Sequence, residues 1–121
     1  MIELTNERIL ALNKSLNDLQ DSKIALNIRV SYKLARIKRI VQSFVNTIQE
    51  EQMKLYKKYG EPQDDDTIKI PAEKMNEFTK DYKELLNINN DVDIEPISVG
   101  DLDEVEIDLD IMEGLVDILK D

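Results

Sequence analysis

Val30, Leu34, Ile37, Val41, Phe44 and Ile48 recur at intervals of 4-3-4-3-4 residues, and Leu55 rejoins the series one heptad after Ile48, with Glu51 at the skipped position. A stripe of that period fits a helix with one apolar seam. It runs from about Asn27 to Tyr59, where Gly60 supplies the expected left-handed cap and Pro62 a residue that cannot continue the helix. At 1.5 Å per residue such a helix is on the order of 50 Å long, more than a compact chain of 121 residues requires. The rest of the chain must be arranged along this rod.

Before it, Thr5-Asn6 can cap a helix that carries Ile9, Leu12, Leu16 and Leu19 on one face and breaks at Asp21-Ser22. After it, Glu61 to Asp66 is an acidic loop, Thr67 to Ile70 reads as a short strand, and Met75, Phe78, Tyr82 and Leu85 mark a helix over roughly Ala72 to Leu86. Val92 and Ile94 alternate with Asp91, Asp93 and Glu95, the pattern of a half-buried strand. Val105 and Ile107 alternate with acids as well. Ser98 with Asp101 opens a single turn, and Asp108 or Asp110 caps a last helix through Met112, Leu115, Val116 and Leu119. These elements predict a mostly helical α+β protein. Residues 1–60 form a helical hairpin, the N-terminal helix folded back along the long one. Residues 61–121 form an acidic β-α-β-α cap with a two- or three-stranded sheet, its two clearest strands paired, and the halves make one domain.

Composition narrows function mainly by exclusion. The chain has no Cys and no His, hence no disulfide, no thiolate nucleophile, no Cys-based zinc site and none of the commonest general base. Three Gly and three Pro are too few for a turn-rich β-sandwich. The apolar runs are too short for a membrane span, and the acidic N-terminus does not read as a signal peptide. The expectation is a protein made in the cytoplasm of its cell, non-enzymatic, with no cofactor and no membrane contact. Charge is unevenly divided. Residues 1–60 hold eleven Lys/Arg against six Asp/Glu, a net +5, and residues 61–121 hold five Lys against twenty Asp/Glu, a net −15.

The stretch Val30-Ser31-Tyr32-Lys33-Leu34-Ala35, then a long charged helix and Lys57-Lys58-Tyr59-Gly60-Glu61, resembles a family of small uncharacterised proteins of tailed phages and prophages of Gram-positive bacteria. The tail is similar too: a helix from Phe78 to Leu86, an acidic-apolar strand and a final acidic helix. The resemblance covers roughly residues 28–121. Where the family has a Gly-containing turn before the first strand, this chain has Asp64-Asp65-Asp66. The resemblance carries no catalytic residue. It implies a viral accessory or assembly protein in a bacterial host cell or on a virion.

Each candidate site competes with a plainer reading. Arg29, Lys33, Arg36, Lys38 and Arg39 crowd the start of the long helix; they suit a phosphate-binding face, but with only Tyr32 to stack on a base, a solvated flank or a partner for the acidic half fits better. Asp91, Asp93 and Glu95 begin an EF-hand spacing, yet position 6 is Pro96 and position 12 is Leu102, so no metal site is expected. Glu104, Glu106, Asp108, Asp110, Glu113 and Asp117 could imitate a DNA backbone and inhibit a host nucleic-acid enzyme or defence system, or form the wet side of ordinary elements. The heptad seam is the strongest candidate. Leu34, Ile37, Val41, Phe44, Ile48 and Leu55 extend beyond what the first helix covers, although the third helix could cover the remainder. The reading predicts a coiled-coil-like partner surface, a homo-oligomer, and an assembly factor acting through protein contacts rather than on nucleic acid. It also predicts that part of Arg29, Lys33, Arg36 and Arg39 faces carboxylates of the C-terminal half, in the same chain or a neighbouring copy.

Overall fold

Thr5 carries the first structural decision. In the computed structural model, which describes residues 1–121, it ends a strand, β1 (Ile2–Thr5), and its hydroxyl accepts from the Arg8 backbone N–H at 3.2 Å, capping α1 (Asn6–Asp21). The helix stops where the Ser22 N–H bonds the Asp18 carbonyl and Lys23 takes a φ of 55°. Asn27 caps the long helix α2 (Ile28–Tyr59) by accepting from the Val30 N–H at 2.9 Å.

The end of α2 corrects one expectation. Gly60 is extended, at φ −94° and ψ 162°, not left-handed. A Cβ there would lie 2.4 Å from the Tyr56 carbonyl oxygen and 2.1 Å from Ile68 Cγ2, so glycine is needed for room. The chain runs directly into β2 (Glu61–Pro62), which pairs antiparallel with β3 (Ile68–Lys69). The left-handed residue of this hairpin is Asp66, at φ 65°. Asp65 closes the loop by accepting from the Thr67 hydroxyl at 2.6 Å and its N–H at 3.3 Å.

A 3-10 turn (Ala72–Lys74) leads into α3 (Met75–Leu86). The chain continues through β4 (Asn89–Val92), β5 (Ile97–Ser98) and a second 3-10 turn (Val99–Leu102). The last helix, α4 (Leu109–Leu115), passes through a 3-10 turn into β6 (Leu119–Lys120). The protein is thus a mostly helical α+β fold.

The strand pairing differs from the expected cap sheet. The strands near residues 68 and 92 do not pair with each other. β4 pairs antiparallel with β1, from Ile2 opposite Val92 to Thr5 opposite Asn89, while β5 pairs in parallel with β6. Three separate two-stranded ladders result, and residues Val105 to Ile107 join none of them. β1 buries Leu4 and exposes Glu3, and beyond β4 the alternation of buried Val92 and Ile94 with exposed Asp91, Asp93 and Glu95 holds as expected.

One core joins the two halves. Ile9, Leu12, Leu16 and Leu19 of α1 meet Ile37, Val41, Val45 and Ile48 of α2 on one side, and Ile111, Leu115 and Ile118 on the other, with Val92, Ile94 and Ile97 closing the cluster. Each such side chain, fully buried, is worth about 1.5–3 kcal/mol. In α2 the buried positions follow a straight 3.6-residue helix, which drifts about 20° per heptad against a 3.5-residue repeat. Val45 therefore enters the core and Phe44 moves to its edge.

α1 and α4 cross closely at Gly114, where a Cβ would sit 2.0 Å from Ser15 Oγ and 2.7 Å from the Ala11 carbonyl oxygen. Gly114→Ala is therefore expected to lose stability overall. Overpacking costs about 1–3 kcal/mol and exceeds a helix-propensity gain of about 1 kcal/mol; urea unfolding measures the difference. Asp66→Gly is expected to act oppositely, raising the unfolding midpoint by up to about 1 kcal/mol in stability by relieving the left-handed residue.

Candidate docking groove

Past Lys23 the chain has no regular structure as far as Asn27, and Ile24 and Leu26 are partly buried while Ala25 and Asn27 are exposed. The two aliphatic side chains, with Leu16 and Leu19 of α1 and Leu34 of α2, line a groove of about 580 Å³. Its rim is polar and cationic. Lys38 and Arg39 stand on the α2 side with Gln42, and the Lys38 ammonium donates to the Gln20 side chain across the gap. Ile28 and Tyr32, one turn apart near the start of α2, are 88% and 64% exposed. The result is an apolar trough with a positive border.

Two smaller depressions lie along α2. One, of about 420 Å³, is lined by Phe44, Ile48, Leu85 and Ile88 with Asn6, Asn90 and Glu51. Its amides are already engaged: Asn6 donates to the Leu85 carbonyl at 2.7 Å, and Asn90 donates to Asn6 Oδ1 at 2.8 Å. The other, of about 180 Å³, places Lys33 and Arg36 beside Asp93 and Glu95. No group of three or more carboxylates is arranged to hold a metal ion.

The C-terminal half of α2 is closed by α3. Phe78 packs against Tyr56, Tyr59 and Tyr82, with ring centroids 5.4, 6.2 and 5.6 Å away. Gln52 donates to the Tyr82 hydroxyl at 2.9 Å, and the Tyr59 hydroxyl donates to Asp81 at 2.5 Å. The bond to Asp81 holds the Tyr59 pKa above the ordinary tyrosine value, against the opposing pull of Lys58.

The structure separates the residues that the seam united. Ile37, Val41 and Ile48 are buried inside the chain against α1 and the β4–β5 region, so they are not a surface open to a partner. Their apolar period served the internal core. Leu34 lines the large groove, Phe44 the second depression, and Leu55 is partly buried. The four basic residues also separate. Lys33 and Arg36 share a depression with Asp93 and Glu95, but none of Arg29, Lys33, Arg36 and Arg39 forms an ion pair within 4.0 Å. Two other cations bridge the halves instead: Arg8, 2.7 Å from Asp117, and Lys58, 3.7 Å from Asp81. Of the acidic row, Glu104, Glu106, Asp108, Asp110 and Glu113 are exposed, and Asp117 is taken by Arg8. Sequence reasoning missed Ile24 and Leu26, whose signal was a short apolar alternation inside a presumed turn.

Comparison with family models, curated proteins and solved structures gives no match to this chain. No helix is long and apolar enough to cross a membrane.

The Tyr59–Asp81 bond yields a pH test. A hydroxyl whose pKa is raised by folding stabilises the folded state while protonated. Its contribution is complete below the ordinary tyrosine pKa of about 10 and is lost as pH rises through the folded value. Tyr59→Phe is expected to lower the melting temperature at neutral pH and to flatten its decline at alkaline pH, followed by circular dichroism.

Proposed function

We propose that the protein works without catalysis, as a small structural or assembly factor that docks protein through the α1–α2 groove. The observation that carries this reading is the groove beneath Lys38 and Arg39, walled by part-buried Ile24, Leu26 and Leu34 and floored by the core residues Leu16 and Leu19. An apolar trough supplies binding energy through desolvated contact, and a charged rim sets orientation and approach rate. Exposed Ile28 and Tyr32 extend the same surface. The resemblance of residues 28–121 to phage and prophage proteins supports a setting in virus assembly within a bacterial cell.

The reading can be tested by site-specific photo-crosslinking in cells. A photoreactive residue at exposed Ala35, on the groove wall, is expected to give discrete protein adducts that Arg39→Glu reduces. The same residue at exposed Lys80, on α3, is the control. Equal adducts at both positions, or none at Ala35, would show that the groove docks no protein.

A further inference from the structure

The groove and the acidic C-terminal face use different residues of α1. In its first turn, Arg8 donates to Asp117 Oδ2 at 2.7 Å and to the Glu113 carbonyl at 3.1 Å, which anchors α4 there. Gly114 against Ser15 fixes the crossing. Leu16, Leu19 and Gln20, in the last turns of α1, line the groove. From Arg8 to Gln20 the helix rises about 18 Å. Docked this way, α4 contributes no residue to the groove of its own chain.

The outward side of α4 is unpartnered. Leu109, the first residue of α4, is 83% exposed, and Val116, which opens the 3-10 turn continuing it, is 48% exposed; about two helical turns apart, they fall on one side. The exposed carboxylates Asp110 and Glu113 lie between them. This is an aliphatic ridge with a negative border, the counterpart of an aliphatic groove with a positive border. We infer that the occupant of the groove is the α4 ridge of a second copy of this chain, docked head to tail. Leu109 and Val116 cover the groove floor, and Asp110 and Glu113 face Lys38 and Arg39. The net +5 of residues 1–60 and −15 of residues 61–121 favour this pairing between copies. Because ridge and groove are different patches, each bound pair leaves one groove and one ridge free, so association proceeds to a ring or filament rather than stopping at a symmetric dimer. The inference rests on the groove being a docking surface and names its occupant.

Light scattering with size-exclusion chromatography tests it. The wild-type mass is expected to exceed the monomer's 14.0 kDa increasingly with concentration at low salt, and to fall back as salt screens the charges. A groove variant, Ala35→Glu with Arg39→Glu, and a ridge variant, Leu109→Ser with Glu113→Lys, should each associate about tenfold or more weakly. Circular dichroism verifies that both remain folded. Mixed in equal amounts, they should form a dimer and go no further, since each brings one working patch. Wild-type chain that stays at the monomer mass at every concentration and salt overturns the second copy as occupant. So does a mixture that forms no dimer, or a ridge variant that associates like wild type. The crosslinks from Ala35 separate the two failures: adducts to another protein alone, beside a monomeric wild type, keep the groove and remove the second copy, while no adducts remove both.

Discussion

α1 is buried along two sides, and the placement of α2 and α4 follows from satisfying both. Ile9 and Leu12 are fully buried, and Leu16 and Leu19 nearly so, between α2 and α4. A 16-residue helix is marginal alone in water, so this helix exists because both sides are covered. At its N-terminus the buried Asn6 completes the arrangement. Its backbone N–H bonds the Ile88 carbonyl at 3.0 Å, its amide donates to Leu85, and its side-chain oxygen accepts from Asn90. A buried amide left without such partners would cost about 1–3 kcal/mol. The satisfied set locks the end of α3 and the start of β4 onto the start of α1, and the β1–β4 ladder continues the same junction.

That arrangement decides which surfaces remain. α1 and the β4–β5 region consume the central seam of α2, and Phe78 with three tyrosines consumes its C-terminal part. Near the N-terminus of α2, α1 has ended, and the connecting segment supplies only Ile24 and Leu26 as cover. The groove is a consequence of unequal helix lengths, 16 residues against 32. In the same way, drawing α4 onto α1 through Leu115, Ile118 and Arg8 leaves Leu109, Val116 and their neighbouring acids facing outward. The cationic rim of the groove and the acids beside Leu109 and Val116 are thereby carried on different elements.

Much of the element order was legible because its causes are local. Thr5 and Asn27 act through side-chain bonds to N–H groups three residues on. The acids alternating with Val92 and Ile94 mark the alternating burial there from their own spacing, although the strand itself is Asn89–Val92 and stops short of Ile94. The candidate site was legible only in outline. Lys38, Arg39 and Leu34 stood out as charge and seam, but Leu16 and Leu19 read only as helix face, and Ile24 and Leu26 lay in a presumed break. No short window joins residues from α1, a connection and α2.

By itself, then, the sequence determined a long amphipathic helix, two shorter helices flanking it in order, the N-cap of the first of them, and a division of charge between the halves. Periodicity, capping and composition act over a few residues and need no knowledge of the partner surface. The tertiary structure decided that β1 pairs with β4 rather than the two interior strands with each other, that β6 forms at all beside β5, and that Val45 displaces Phe44 from the core. It also decided that Arg8 and Lys58, not the basic cluster at the start of α2, form the ion pairs to the acidic half. These outcomes depend on which apolar faces cover one another at large sequence separation. The same aliphatic period serves equally for an internal core and for a surface awaiting a partner, and only the packed chain separates the two.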